Sequence, residues 1–214
     1  MTFLELINDV LIRLRENEVA SVDQTNYIKL IGKYVNDGKR AVEDAYNWNA
    51  LSSTYTITTT SGVFNYTLTG SGTRFRVLDA FNDTKDNRIT PEQTTRMNEL
   101  FYTQSSTGSP TIYNFNGVNN NGDTQVDIYP IPDSVYTLKF NLIKPQAALS
   151  AATDKLLVPS EPVIFYALSK AIIERGEDAG ISSGEAYQFY QQSLADHIAN
   201  ESNLYPEDSI WISY

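Results

Sequence analysis

Large apolar side chains recur at Phe3, Leu6, Ile7, Val10, Leu11 and Leu14, the three-and-four spacing that lines one face of an α-helix. Thr2-x-x-Glu5 at its head is a capping box, so the pattern predicts an amphipathic helix ending near Glu18. A second stripe, with Tyr27, Leu30, Ile31, Tyr34, Val35, Ala41, Val42 and Ala45, predicts a helix from about Asp23 to Trp48. Gly32 and Gly38 sit inside it at a cost of about 1 kcal/mol each relative to alanine. Such glycines mark places where another backbone comes close. Two long helices joined by a short link read as an antiparallel hairpin.

The period changes at Ser52. Ser53 to Thr60 alternates β-branched and aromatic residues, Ser61-Gly62 turns the chain, and Val63 to Leu68 returns it, which predicts a β-hairpin. Further strands are predicted at 75–81, 111–115, 125–129 and 136–143, with Asn121-Gly122 as a turn before the third. Thr90-Pro91-Glu92 predicts one short helix among them, Thr90 capping and proline at the first helical position. Residues 145–162 read as loop. Helix returns with Val163, Ile164, Ala167, Leu168, Ala171 and Ile172, running to about Asp178 and stopped by Gly180. Ser182-x-x-Glu185 is a second capping box, opening a helix with Ala186, Phe189, Tyr190, Leu194 and Ile198 on its inner face.

The predicted fold class is therefore α+β: a four-helix bundle made of N- and C-terminal helical hairpins, with an antiparallel β-rich insert and an extended C-terminal arm. The divisions are 1–50 for the first hairpin, 51–145 for the insert, 146–202 for the second hairpin and 203–214 for the arm.

With 214 residues, 41% hydrophobic and 20% charged, the chain has the composition of an ordinary globular protein. Apolar runs are too short to span a bilayer, and Glu5 interrupts the place where a signal peptide needs an apolar stretch, so the mature chain is expected to start near Met1. The absence of cysteine excludes disulfides, thiolate zinc sites and thiol nucleophiles. The formal net charge of −10 repels phosphate backbones and argues against general nucleic-acid binding. Acid is concentrated late: residues 146–214 carry 10 acidic and 3 basic groups.

Catalytic constellations are weak. His197 is the sole histidine, and Asp196 beside it on a helix cannot orient it, so it reads as a surface or interface residue. Glu174, Glu177 and Asp178 lie within one helical turn, near enough to raise one another's pKa values, but a solvated helix end with Arg175 beside it explains them as well. Asn119, Asn121, Asp123 and Asp127 resemble a calcium loop, yet Gly122 precedes Asp123 and no closing glutamate follows. Gly70-Ser71-Gly72 lacks the third glycine and following helix of a phosphate fingerprint. Arg74-Phe75-Arg76 interleaves cations with an aromatic, but strand alternation sends both arginines to one face and Phe75 to the other. No metal or cofactor is expected.

Two features point to contact with other proteins instead. Fourteen tyrosines exceed what a core of this size needs, and tyrosine suits interfaces, although Tyr27 and Tyr34 read as helix packing. The C-terminus, with Tyr205 followed by Ile210, Trp211, Ile212 and Tyr214, is too short to build a core, and leaving such side chains in water costs about 1.5–3 kcal/mol each. It is expected either to fold back on its own domain or to dock on another subunit.

The segments Tyr27–Gly32, Val35–Trp48 and Ala171–Gly180, the strand Val126–Pro130 and the order helix pair, β-rich middle, helix pair, extended tail resemble the tail adaptor (head-to-tail connector) proteins of short-tailed bacteriophages. The resemblance implies a structural virion protein without catalysis or cofactor. It implies a ring, usually a dodecamer, beneath the portal, with the arm residues Tyr205, Ile210, Trp211, Ile212 and Tyr214 reaching the portal protein and the opposite side receiving the tail nozzle protein. DNA would pass through the channel without sequence-specific binding; repeating the acidic C-terminal helices around such a ring would give a negative collar, and the acidic helix end of Glu174, Glu177 and Asp178 is expected to line the channel or an interface. The location implied is the virion neck, after assembly in the host cytoplasm, with no membrane contact. Two other readings stand beside it: a tyrosine-rich module binding a host receptor or carbohydrate, and a cell-wall hydrolase using Glu174 with Glu177 or Asp178, which project poorly for straddling a glycosidic bond.

Overall fold

A computed structural model of the chain describes residues 1–176 and 182–204. Its architecture is α+β, with five helices and two four-stranded sheets among the described residues. The chain divides into two units, Met1–Leu51 with Gln146–Tyr214, and Ser52–Pro145.

In the first unit the sequence signals act locally as expected. Thr2 closes its capping box at the head of α1 (Phe3–Arg13): its hydroxyl accepts the Glu5 N–H, and its own N–H donates to the Glu5 carboxylate at 2.8 Å. The helix stops short of Glu18 because Arg15 adopts a left-handed conformation, φ 61°, and the Asn8 side chain then bonds both main-chain groups of Val19, folding the chain back along α1. α2 (Asn26–Ala45) is capped by Thr25, whose hydroxyl accepts from Ile28 N. A Cβ on Gly38 would lie 2.9 Å from the carbonyl oxygen of Val163, so this glycine does mark the approach of another backbone, whereas one on Gly32 would lie 3.0 Å from the Phe3 ring, a side chain and not a backbone.

α4 (Ser160–Arg175) is the common partner of the unit: α1, α2 and α5 (Ser183–Leu204) each pack against it. Its broad apolar stripe makes that geometry available, with Val163, Ile164, Ala167, Leu168, Ala171 and Ile172 all buried. Gly176 in the left-handed conformation, φ 63°, ends it, four residues before the expected Gly180. The Ser182–Glu185 capping box forms at the head of α5. Contacts of Glu161 with Ser193 and of Phe165 with Phe189 run α5 antiparallel to α4. The inner face of α5 is Ala186, Tyr190 and Ser193; Phe189 is exposed at its edge and not inside.

Residues 146–159, which read as plain loop, are tied down along their length. Asn36 bonds both main-chain groups of Leu149, and Phe3 N and Leu4 N donate to Asp154 and Ala152. These bonds satisfy backbone groups that a loop lying against helices would otherwise leave unpaired.

The second unit holds β1 (Ser52–Thr58), β2 (Asn65–Thr67), β3 (Arg76–Asn82), β4 (Asn87–Arg88), β5 (Thr90–Pro91), α3 (Thr94–Thr103), β6 (Ile112–Val118), β7 (Thr124–Tyr129) and β8 (Thr137–Ile143). One sheet has the order β1-β8-β3-β4 and the other β2-β7-β6-β5. They share one core, in which Leu138, Phe140 and Leu142 of β8 meet Val126 and Ile128 of β7, and the rings of Tyr113 and Phe140 lie 5.3 Å apart. Strand alternation supplies this: along β8 the burial runs intermediate-buried from Thr137 to Leu142.

Two local expectations fail in this unit. Ser53–Thr60 and Val63–Leu68 do not form a hairpin: β1 pairs with β8 and β2 with β7, in different sheets. The Ser61-Gly62 turn forms, with Gly62 at φ 80°, but Gly62 N donates to Pro132 and the chain crosses from one sheet to the other. An alternating strand suits any antiparallel partner, and here the shared core selects one distant in sequence. Thr90-Pro91 does not start a helix either; it pairs in parallel with Ile112-Tyr113, and α3 begins at Thr94 after Gln93 without a side-chain cap.

Candidate functional site

The arm residues Tyr205, Ile210, Trp211, Ile212 and Tyr214, and with them Glu177 and Asp178, lie outside the described residues. Glu174 is exposed on the last turn of α4. Arg175 next to it pairs with Glu16 at 3.1 Å and lies 6.0 Å from the Tyr27 ring centroid. Burial pushes the Tyr27 hydroxyl pKa upward against the pull of Arg175, which agrees with Tyr27 as a packing residue.

His197 faces Glu161 across the α4–α5 contact, its Nε2 3.5 Å from Oε2, and the Ser193 hydroxyl donates to the same oxygen at 3.0 Å. Both partners converge on the carboxylate, so the serine is not hydrogen-bonded through the imidazole as a nucleophile would be. The trio ties two helices together.

In the second unit the residues that resembled a calcium loop build turns. The Asn119 side chain accepts from Asn121 N and Asp123 N, Gly122 adopts φ 85°, and Asp127 accepts from Asn65 and Asn116. Asp123 takes backbone N–H groups of Gly70 and Gly72, which hold its carboxyl pKa below the usual range. Gly70-Ser71-Gly72 is thereby a pinned loop, and its Gly70 carbonyl also accepts from Tyr55 and from Lys144. Phe75 packs edge-on against Phe115, 5.5 Å between centroids, while Arg74 and Arg76 are exposed.

The sequence reading missed two arrangements. On α2, Lys39 and Glu43 form a buried ion pair at 3.0 Å, 4% and 0% exposed in their side chains. Lys39 Nζ also donates to the Gln146 carbonyl at 2.7 Å, and Gln146 N donates to Glu43 Oε1 at 3.0 Å. Their four-residue spacing is also that of a solvated surface pair, so nothing in the pattern announced burial.

The other is a cleft of about 430 Å³ in the second unit, bounded by Val77–Ala80 of β3, Arg88 and Ile89, Pro91 and Glu92, and Tyr113–Phe115 of β6. β3 meets β4 only at Phe81 and Asn82, and β6 meets β5 only at Ile112 and Tyr113. A bulge between Val77 and Asp79 leaves Leu78 43% exposed at the rim.

The groups singled out by their residue type thus serve helix contacts, turns and buried packing. The chain belongs to the SU10 adaptor protein family, whose model matches residues 1–207. Membership makes it a phage structural adaptor and a virion component, in accord with the resemblance to tail adaptors. No curated protein matches the chain. Among the described residues no helix is long and apolar enough to cross a membrane.

Proposed function

We propose that the chain is a head-to-tail adaptor, copies of which close into a ring between the portal protein and the tail nozzle protein, with DNA passing through the channel. The observation that carries this reading is the family match over residues 1–207, nearly the whole chain and both units. Copies in a ring meet through two different faces, and closure depends on the rotation between them. The exposed aromatic residues Tyr102, Tyr187 and Phe189 are suited to such faces. The arm beginning at Tyr205 is the portal-gripping element, and a dodecamer is the expected ring.

The test is the mass of the purified protein, alone and mixed with portal. Full-length chain is expected to add to portal rings in a fixed ratio, and a chain deleted after Asn203 is expected to keep its circular-dichroism spectrum while failing to join. Normal portal binding by the shortened chain would remove the arm from the mechanism; failure of the full chain to join would remove the adaptor reading.

A further inference from the structure

The cleft in the second unit is framed by strands whose outer edges are only partly covered. Among the described residues, Val77–Asp79 has β8 as its one sheet neighbour and Phe115 has β7, while Glu92 covers the edge just before it, its N–H donating to the Tyr113 carbonyl and its carbonyl accepting from the Asn114 side chain. Uncovered main-chain N–H and C=O groups of this kind are the template on which an extended peptide adds as a strand, with adjoining pockets taking alternate side chains. The walls supply those pockets: Val77, Leu78, Tyr113 and Phe115 give apolar surface. Of the charged groups at the rim, Asp79 accepts from Asn141 at 2.5 Å and Glu92 from Gln93 N at 2.9 Å, whereas exposed Arg88 has no ion pair among the described residues. The cleft asks for an extended segment with bulky apolar side chains and a carboxylate close by.

The chain carries such a segment. Ten residues follow Leu204, a reach of about 33–36 Å when extended, and they combine the acids Glu207-Asp208 with Ile210-Trp211-Ile212 and Tyr214. β-branched and aromatic residues are those most at home in strands. We propose that this cleft receives the C-terminal segment of a second copy of the chain as an added β-strand, with Glu207 or Asp208 against Arg88. This rests on the adaptor reading in one respect: the cleft is where the apolar arm is kept from water before portal takes it. Cleft and segment are different surfaces, so the contact is heterologous and repeats from copy to copy.

The test uses full-length chain in which Ile210, Trp211 and Ile212 are replaced by serine, so that its own segment no longer competes. To it is added a fluorescent peptide of residues 204–214, read by anisotropy. Saturable binding is expected, with amide-exchange protection appearing at 77–79 and 115–116. Leu78→Asp and Arg88→Glu, both at exposed positions, should each weaken it about tenfold or more, and a peptide with Glu207→Lys and Asp208→Lys should recover binding to the Arg88→Glu chain. Absence of binding, or binding indifferent to Leu78→Asp, overturns the proposal. So does a wild-type chain that stays monomeric yet refuses the peptide, because then the segment of the same copy fills the cleft. Failure of the adaptor reading shows separately, in the portal-joining mass measurement, which involves neither the peptide nor the cleft variants.

Discussion

Glu43 is a buried carboxylate that ties α2 to the segment returning over it. Its Oε1 accepts from Lys39 and from Gln146 N, while its Oε2 has no hydrogen-bond partner among the described residues. Glu43→Ala leaves the Lys39 ammonium buried without its counter-charge and is expected to destabilise the fold by about 3–5 kcal/mol. The double change Lys39→Met with Glu43→Leu removes both charges and should cost less than the single one. It should still fall short of wild type, because Gln146 loses an acceptor and a donor worth about 1–3 kcal/mol when left unpaired. Urea denaturation of the three proteins checks the order. The pair was illegible in the sequence because its burial comes from residues 146–159 returning over α2, whereas Gly38 was legible: a glycine inside a good helical stripe has few explanations other than the Val163 backbone against it.

Local chemistry announced the capping boxes correctly but misled at Thr90-Pro91-Glu92, where a strand stands in place of a helix start. Both capping boxes close, and in each the glutamate pKa is lowered first of all by the backbone N–H it accepts, of Thr2 for Glu5 and of Ser182 for Glu185. A lowered folded-state value means that stabilisation is complete above the ordinary glutamate pKa of about 4.3 and is lost as pH falls through the folded value. Thermal melts from about pH 6 down to about pH 3 should therefore fall more steeply for wild type than for a Glu5→Gln, Glu185→Gln chain, whose amides do not titrate over that range. Thr25→Ala, by contrast, removes an uncharged cap and should cost about 1 kcal/mol at every pH in the same series. Six of the eight strands were read at nearly their observed positions, β4 and β5 were not read as strands, and the hairpin of β1 with β2 was not there to find. Period-two alternation states that a segment is a strand and which face is apolar, and it is silent about the neighbour.

For the whole molecule, the acidic balance of residues 146–214 would be multiplied in the proposed ring, where carboxylates at equivalent positions would build a field that one copy does not have. If the end of α4 contributes to the channel wall, Glu174→Lys with Glu177→Lys should slow DNA release from assembled particles, an effect that rises as salt is lowered. Release at the wild-type rate would take this helix end out of the channel. The sequence by itself determined four of the five described helices, the capping boxes at Thr2 and Ser182, six of the eight strands and the adaptor resemblance, because each rests on spacing within a few residues or on motifs carried along the chain. Only the tertiary structure decided that α4 is the shared partner of three helices, that β1 and β2 belong to different sheets, that Lys39 and Glu43 are buried, and that β3 and β6 leave their edges open on a common cleft. Those facts depend on which surfaces meet across long stretches of chain. That choice is made by burial of the assembled apolar faces and pairing of every main-chain group, quantities that no short window of sequence contains.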